Sequence, residues 1–217
     1  MSKLGRLFGG FRAQKRKISE GPAESSSPIE WVVAGLGNPG GDYARSRHNV
    51  GFMTLDRLAE SKKVQISRRR FAGATAETEL AGHRAILVRP ETFYNASGEC
   101  VAALLGYFKV APAKLIVVHD DLDLEVHRLR IKRGGGDAGN RGVRSIAEAL
   151  GTNDFIRVRI GLGRPVADDD PRDYVLRPMR AEELADFAPA LARAAEAVEA
   201  IISEGLERAM GRYNQRV

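Results

Sequence analysis

A buried strand that runs straight into a glycine- and proline-rich turn constrains this chain more than any other feature. Residues 31–36 form a short apolar run with β-branched side chains, which predicts a buried strand, and residues 37–40 break it. The break carries Asn38, and a polar loop with His48 follows before an amphipathic helix is predicted over 50–61. Because active sites of α/β folds lie beyond the carboxyl ends of such strands, this loop lies where chemistry is expected.

Strands and helices alternate along the rest of the chain. Strands are predicted over 72–80, 84–88, 115–119, 128–132 and 156–161, and helices over 97–108, 143–150 and 182–203. The turn at 81–83 predicts a hairpin, whereas the arginines at 68–70 are interpreted as a solvated turn. This mixture of hairpin and crossover connections predicts a single α/β domain over 29–217, with a mixed, twisted β-sheet flanked by helices on both faces.

The composition narrows the class of protein. A chain of 217 residues with 43% hydrophobic content can form one domain with a full core, and no apolar run approaches the length of a membrane span. The single cysteine, Cys100, excludes an internal disulfide and lies in an apolar helical run, so we expect a buried structural thiol in a cytoplasmic protein. The net charge of +6 favours a polyanionic partner without identifying it.

Residues 1–28 differ from the rest of the chain. Six basic residues precede the first acidic one, and 20–28 is rich in small and polar residues. This pattern predicts a basic, disordered N-terminal extension. Two interpretations of it stay open: a solvated basic arm or, because its first part is weakly amphipathic, an organelle transit peptide.

Five segments carry a resemblance to a known family. The loop at 43–51 has an aromatic residue, two spacers, a small polar residue and then Arg-His-Asn-x-Gly. The other matching segments, in chain order, are 35–40, 89–98, 119–124 and 155–165. In these segments the chain resembles the bacterial-type peptidyl-tRNA hydrolases, and the likeness extends from about residue 29 to the end.

The resemblance implies an enzyme that hydrolyses the ester between peptide and tRNA in peptidyl-tRNA released from stalled ribosomes, which recycles the tRNA. It implies tRNA as the partner and water activated by a histidine, with no cofactor, no metal, no membrane and a monomeric protein. The alternative is an RNA-binding paralogue with little or no catalytic activity. Arg141 suggests this alternative because it stands where the family has an asparagine, unless Asn140 takes that place after a one-residue shift.

Ester hydrolysis needs a base that deprotonates water and donors that stabilise the oxyanion. His48 is the candidate base, since imidazole titrates near neutral pH. Asp120 follows the predicted strand 115–119 and is the candidate for orienting the ring and stabilising the imidazolium. His48 and Asp120 are therefore the predicted catalytic pair.

Seven further residues are predicted to bind the peptide or the tRNA. They are Asn38, Tyr43, Tyr94, Asn95, Lys132, Arg141 and Arg159. The resemblance implies that Asn38 and Asn95 position the peptide carbonyl and backbone, and Asn95 is also a candidate N-cap for the next helix. Tyr94 stands where the family has methionine and is expected to shape the peptide pocket.

The basic residues of this set are assigned to the tRNA or to the oxyanion. Lys132 and Arg159 lie on predicted strands beside a glycine-rich stretch at 134–142, and the resemblance places phosphate contacts on these strands. Arg141 lies at the end of the stretch, and an oxyanion or a phosphate is its expected partner.

Two rival interpretations are weaker. Residues 35–40 satisfy the dinucleotide fingerprint, with Asp56 at about the expected distance. However, Pro39 removes an amide and the helix begins only at residue 50, too late for its amides to meet a pyrophosphate. The carboxylates at 120–123 lack an accompanying histidine–carboxylate set, so no metal site is predicted there, and Asp123 is interpreted as a turn cap.

Overall fold

The fold is a mixed β-sheet between two layers of helices. The computed structural model describes residues 27–166 and 169–215, so nearly all of the predicted N-terminal extension lies outside the described residues. The strands are β1 (Trp31–Gly35), β2 (Arg68–Arg70), β3 (Gly73–Leu80), β4 (His83–Pro90), β5 (Leu115–Asp121), β6 (Leu129–Arg133) and β7 (Ile156–Gly161). The α-helices are α1 (Val50–Ser61), α2 (Ser97–Phe108), α3 (Arg141–Leu150), α4 (Pro171–Leu176), α5 (Ala181–Glu204) and α6 (Leu206–Tyr213).

The described strands form one sheet in the order β2-β3-β4-β1-β5-β7-β6. Its four inner strands, β4, β1, β5 and β7, are parallel, because β1 pairs in parallel with β4 and β5, and β5 with β7. Antiparallel strands flank them on both sides, with β3 and β2 at one edge and β6 at the other. The carboxyl ends of β1, β4 and β5 therefore meet at one edge of the sheet, where a site is expected.

Helices cover both faces of the sheet, which confirms the predicted fold class. Along β1 the side chains alternate between two cores: Val33 packs with α1 and α5, whereas Val32 and Ala34 pack with α2 and α3. A strand buried on both faces has no polar side to show, which explains why 31–36 looked continuously apolar in the sequence. Of the helices in the described ranges, none combines the length and the apolar character that a bilayer crossing demands.

Helix α1 approaches the sheet unusually closely at its first turn. A Cβ built on Gly51 would lie 2.4 Å from the carbonyl oxygen of Val118 and 2.5 Å from the backbone nitrogen of Leu36. Only glycine leaves room for this approach, since the neighbouring atoms belong to strand backbones that cannot rotate away. Gly51, which ends the loop at 43–51, therefore lets α1 and the residues just before it pack against the ends of β1 and β5.

Most predicted elements are confirmed, and three of the observed strands and helices were not predicted. The structure places the helices at 50–61 and 97–108 and the strand at 156–161 on the predicted residues. The interpretation of Arg68–Arg70 as a solvated turn is wrong, because these residues pair antiparallel with β3 as an edge strand. Helices α4 and α6 were not predicted.

Candidate active site

The site lies at the carboxyl ends of the parallel strands, as the sequence predicts. A pocket of about 900 Å³ opens there. Its lining includes most of the predicted site residues: Asn38, Tyr43, His48, Tyr94, Asn95, Asp120 and Arg141. Three strand-end segments, after β1, after β4 and at the end of β5, thus contribute side chains to one pocket, together with the start of α3.

His48 and Asp120 form a hydrogen-bonded pair at the base of the pocket. His48 lies in a short 3₁₀ turn directly before α1, and Asp120 is the penultimate residue of β5. The His48 Nδ1 lies 2.9 Å from Oδ2 of Asp120. The side chain of Asp120 is 4% exposed and that of His48 is 17% exposed. This geometry leaves Nε2 as the ring nitrogen that is not held by the carboxylate, on a residue that borders the pocket.

The surroundings of Asp120 keep it ionised. Burial opposes the charged form, but the charge and the hydrogen bond of His48 and the hydroxyl of Tyr94 outweigh burial and hold the pKa of Asp120 below its usual value. A buried carboxylate that stays charged fixes the tautomer and orientation of the imidazole bonded to it. The pair therefore has the arrangement of a general base with its orienting acid.

Tyr94 is part of this pair's immediate surroundings. Its hydroxyl donates to Oδ1 of Asp120 at 2.6 Å, and its ring stacks on the His48 ring with centroids 3.5 Å apart and planes 12° from parallel. Burial, reinforced by the charge of Asp120, raises the pKa of Tyr94 well above its ordinary value, so the phenol stays protonated. The sequence did not indicate this role, because the spacing of Tyr94 and Asp120 says nothing about side-chain direction.

Asn140, and not Arg141, joins the network. The Asn140 Nδ2 donates to the Tyr94 hydroxyl at 2.8 Å, while its Oδ1 accepts from the backbone nitrogen of Val143 and caps α3. Arg141 begins α3 with an exposed side chain on the pocket border. Asn95 is not the N-cap of α2, because Ala96 holds that position; Asn95 is exposed at the pocket border.

Buried amides tie the segment after β1 to the segment after β4. The Oδ1 of Asn38 accepts from the backbone nitrogen of Tyr94 at 2.9 Å. Asn49 then exchanges two hydrogen bonds with the Asn38 backbone, at 2.9 and 3.0 Å. The structure records no partner for the amide nitrogen of Asn38 among the described residues, which leaves it as a donor toward the pocket that Asn38 lines. Asn49 was a motif residue in the sequence, but its bonding role was not predicted.

The glycine-rich stretch is organised by Arg157. Its guanidinium is almost fully buried and donates to the carbonyl oxygens of Gly134, Gly135 and Gly136. Burial and the neighbouring Arg159 lower the pKa of Arg157. This arginine therefore holds the loop in place, and its fork is occupied by protein carbonyls.

The two predicted phosphate-binding residues have different surroundings. Arg159 is ion-paired with Asp121, with nitrogen and oxygen 2.5 Å apart, and its side chain is 12% exposed. Lys132 is half-buried beside the two arginines, and burial followed by their charges lowers its pKa. Lys132 is thus the cation of this cluster for which the described residues show neither a carboxylate nor a carbonyl partner, since Arg159 pairs with Asp121 and Arg157 with the glycine carbonyls.

The acidic residues after Asp120 are engaged by arginines. Asp121 pairs with Arg159, and its Oδ1 also accepts from the backbone nitrogen of Asp123, so Asp121 and not Asp123 caps the turn. Asp123 pairs with Arg164 instead. Across the described ranges, no group of three histidine, cysteine or acidic residues has the geometry to hold a metal ion.

The structure also shows the surroundings of Asp56 and Cys100, two residues that the sequence analysis interpreted. Asp56 of the rejected dinucleotide fingerprint lies within α1 and pairs with Arg89. Cys100 is fully buried in α2, and burial raises the pKa of its thiol to about 12, which confirms a structural thiol.

Comparison with known proteins identifies relatives over nearly the whole chain. The family model described as Peptidyl-tRNA hydrolase matches residues 32–217. A peptidyl-tRNA hydrolase of Frankia casuarinae is 50% identical over 184 residues, covering 85% of this chain and 93% of that protein. One from Chloroflexus aggregans is 46% identical over 185 residues, covering 85% and 98%. Among solved structures, peptidyl-tRNA hydrolase from Acinetobacter baumannii has a TM-score of 0.80 at 30% identity, covering 87% of this chain and 97% of that one.

Proposed function

Because the chain belongs to the peptidyl-tRNA hydrolase family, we propose that its pocket hydrolyses the ester between peptide and tRNA with His48 as the general base. The resemblance inferred from the sequence is confirmed, and the chain is an ester hydrolase that acts on peptidyl-tRNA. The observation that carries the assignment to this pocket is the His48–Asp120 hydrogen bond, which engages Nδ1 and leaves Nε2 of a pocket-lining histidine without a carboxylate partner among the described residues.

The proposed reaction uses the pair in two steps. His48 Nε2 takes a proton from a water molecule as that water attacks the ester carbonyl, and Asp120 stabilises the imidazolium that forms. The imidazolium then gives the proton to the ribose oxygen as the carbon–oxygen bond breaks. The base returns to its neutral form without a covalent enzyme intermediate.

The remaining pocket residues are proposed to bind the substrate. The amide nitrogen of Asn38, with Asn95 and Arg141 at the border, supplies donors for the carbonyl oxygen and the peptide backbone. Tyr43 lines the same pocket close to the signature loop. Lys132 is the proposed phosphate contact. Arg159 is a second proposed cation, which also forms an ion pair with Asp121.

The hydrolase assignment is favoured over an RNA-binding paralogue without activity. Arg141 suggested the paralogue because it replaces an asparagine, yet the His48–Asp120 pair is intact and Asn140 contributes an amide to the surrounding network. The named relatives at 46–50% identity are hydrolases. Arg141 therefore alters the pocket border and leaves the base and its acid in place.

The test is hydrolysis of an N-blocked aminoacyl-tRNA by His48→Ala. We expect kcat to fall by about a thousandfold or more while tRNA binding stays within a fewfold, because a base is needed only in the chemical step. His83→Ala is the matched control: this exposed histidine also bonds a carboxylate, that of Glu30, but lies outside the pocket. Hydrolysis by His48→Ala within a fewfold of wild type would remove His48 from this role.

We further propose that the enzyme acts as a metal-free monomer in the cytoplasm. The metal-free proposal comes from the ester chemistry, since a tRNA ribose oxygen leaves readily once a base activates water. Activity should survive exhaustive chelation, and elemental analysis should find no stoichiometric metal. Loss of activity on chelation, restored by one divalent cation, would contradict it; light scattering tests the monomer, and cell fractionation the location.

A further inference from the structure

Tyr94 contacts both members of the catalytic pair and also Asn38. Its hydroxyl donates to Asp120, its ring lies on the face of His48, and its backbone nitrogen donates to Asn38. The residue is 4% exposed, whereas the preceding Phe93 is 69% exposed. Tyr94 is therefore turned inward to the pair while its neighbour is the aromatic group presented to solvent.

We propose that Tyr94 is a positioning residue for the hydrolysis: its hydroxyl, held by the amide of Asn140, fixes the Asp120 carboxylate so that His48 is aligned for proton transfer. The proposal rests on the proposed function, because it needs His48 as the base. It adds a role to the expectation that Tyr94, which lines the pocket, shapes the peptide pocket.

The hydrogen bonds of the carboxylate support this role. Oδ2 of Asp120 binds Nδ1 of His48 at 2.9 Å, and Oδ1 binds the Tyr94 hydroxyl at 2.6 Å. Each oxygen has its own donor, so rotation of the carboxylate about its Cβ–Cγ bond would break two hydrogen bonds at once. Without the hydroxyl, the bond to His48 is the one hydrogen bond from the described residues that would oppose that rotation.

Asn140 determines where the hydroxyl proton points. A phenol has one proton to donate, and the Nδ2 of Asn140 occupies its acceptor side at 2.8 Å. The proton is thereby directed to Asp120. Asn140 is itself anchored, since its Oδ1 caps α3 by accepting from Val143.

The ring of Tyr94 is fixed by packing as well as by hydrogen bonds. It stacks on His48 on one side, and on α3 a Cβ at Gly142 would lie 2.6 Å from the ring. Glycine at this position is what lets the ring approach the first turn of α3. The hydroxyl consequently has a defined position, which a positioning role requires.

The experiment compares Tyr94→Phe, Asn140→Ser and the double variant with wild type. Phenylalanine keeps the ring, its stacking and the backbone bond to Asn38, and loses only the hydroxyl. Serine keeps an N-cap acceptor for α3 and loses the amide donor. We expect Tyr94→Phe to lower kcat by about tenfold with KM within about twofold, because alignment matters in the chemical step.

The double variant tests the shared network. If Asn140 acts through the hydroxyl, the double variant should lose no more kcat than Tyr94→Phe alone, since the second change removes nothing that is still in use. Multiplicative losses would overturn the link between the two residues. Thermal unfolding of all variants and Tyr107→Phe, which removes a hydroxyl from an exposed ring outside the pocket, serve as controls.

The outcomes separate this proposal from the assignment of the base. An inactive His48→Ala together with a Tyr94→Phe that keeps wild-type kcat would overturn the positioning role and leave the proposed function standing. A Tyr94→Phe defect confined to KM would make Tyr94 a substrate contact and would also overturn it. An active His48→Ala would refute both proposals.

Discussion

Replacing Gly51 with alanine should destabilise the folded protein, although alanine is the better helix former. A Cβ at this position would lie 2.4 Å from Val118 O and 2.5 Å from both Leu36 N and Leu36 O, against at least 3.4 Å for an ordinary contact. The overlap of about 1 Å falls on strand backbone, so relief requires α1 to move away from the sheet.

The expected magnitude follows from two opposing terms. Alanine gains about 1 kcal/mol over glycine from helix propensity, and overpacking a close-packed site costs about 3 kcal/mol at the upper end of its usual range. The net loss for Gly51→Ala is therefore about 2 kcal/mol or more. At about 2–4 °C per kcal/mol for a chain of this size, Tm should fall by about 4–8 °C.

Gly106→Ala is the matched control, because Gly106 is also a helical glycine but nothing lies within 4 Å of its built Cβ. There only the propensity term acts, so Tm should rise by about 2–4 °C. Both variants are measured by urea and thermal unfolding with circular dichroism. Gly51→Ala as stable as wild type, or a destabilised Gly106→Ala, would refute the steric reasoning.

Three other predictions concern charge and burial. Lys132→Ala should raise KM for a full tRNA substrate and reduce the log–log slope of affinity against salt by about one, while KM for a minimal substrate stays unchanged; equal losses on both substrates would contradict a phosphate contact. Arg57→Ala, which removes an exposed cation of α1 away from the pocket, is the control and should change neither KM. Burial lowers the pKa of His119 from 6.5 to about 4, so the unfolded chain takes up a proton that the folded chain excludes. Stability should fall by up to about 3 kcal/mol from pH 6.5 toward 4, and His119→Asn should flatten this decline in urea titrations. Cys100, with its thiol pKa near 12, should be alkylated about a hundredfold faster in urea than in buffer, and rapid labelling of the native protein would show that the thiol is accessible.

Sequence periodicity predicted the elements whose side chains enter a core. Helices α1 and α2 and strand β7 have apolar residues facing the sheet or the helices, and their bounds were predicted correctly. The strand Arg68–Arg70 has three charged side chains, and it is held by backbone pairing with β3, which no side-chain pattern reports. Helix Pro171–Leu176 is only six residues long, too short for a helical period to be counted.

The site was predictable to the level of its strand ends and no further. Topology places residues after parallel strands at one edge, so His48 and Asp120 could be paired before their distance was known. The direction of the Tyr94 hydroxyl and the choice of Asn140 over Arg141 depend on the conformations of the loops that carry these residues. The glycine-rich stretch before Asn140 has positive φ angles at Gly134, Gly135, Ala138 and Gly139, which periodicity cannot encode.

A ring of hydrogen bonds, closed by the peptide bond between His48 and Asn49, holds the catalytic histidine in its loop. Asn49 binds Asn38, Asn38 binds Tyr94, Tyr94 binds Asp120, and Asp120 binds His48, the residue that precedes Asn49 in the chain. The ring passes through all three strand-end segments and returns to its start. Loss of any one member therefore opens the ring and weakens the restraint on His48. For this reason substitutions in the ring should lower kcat together, including at Asn49, which does not line the pocket.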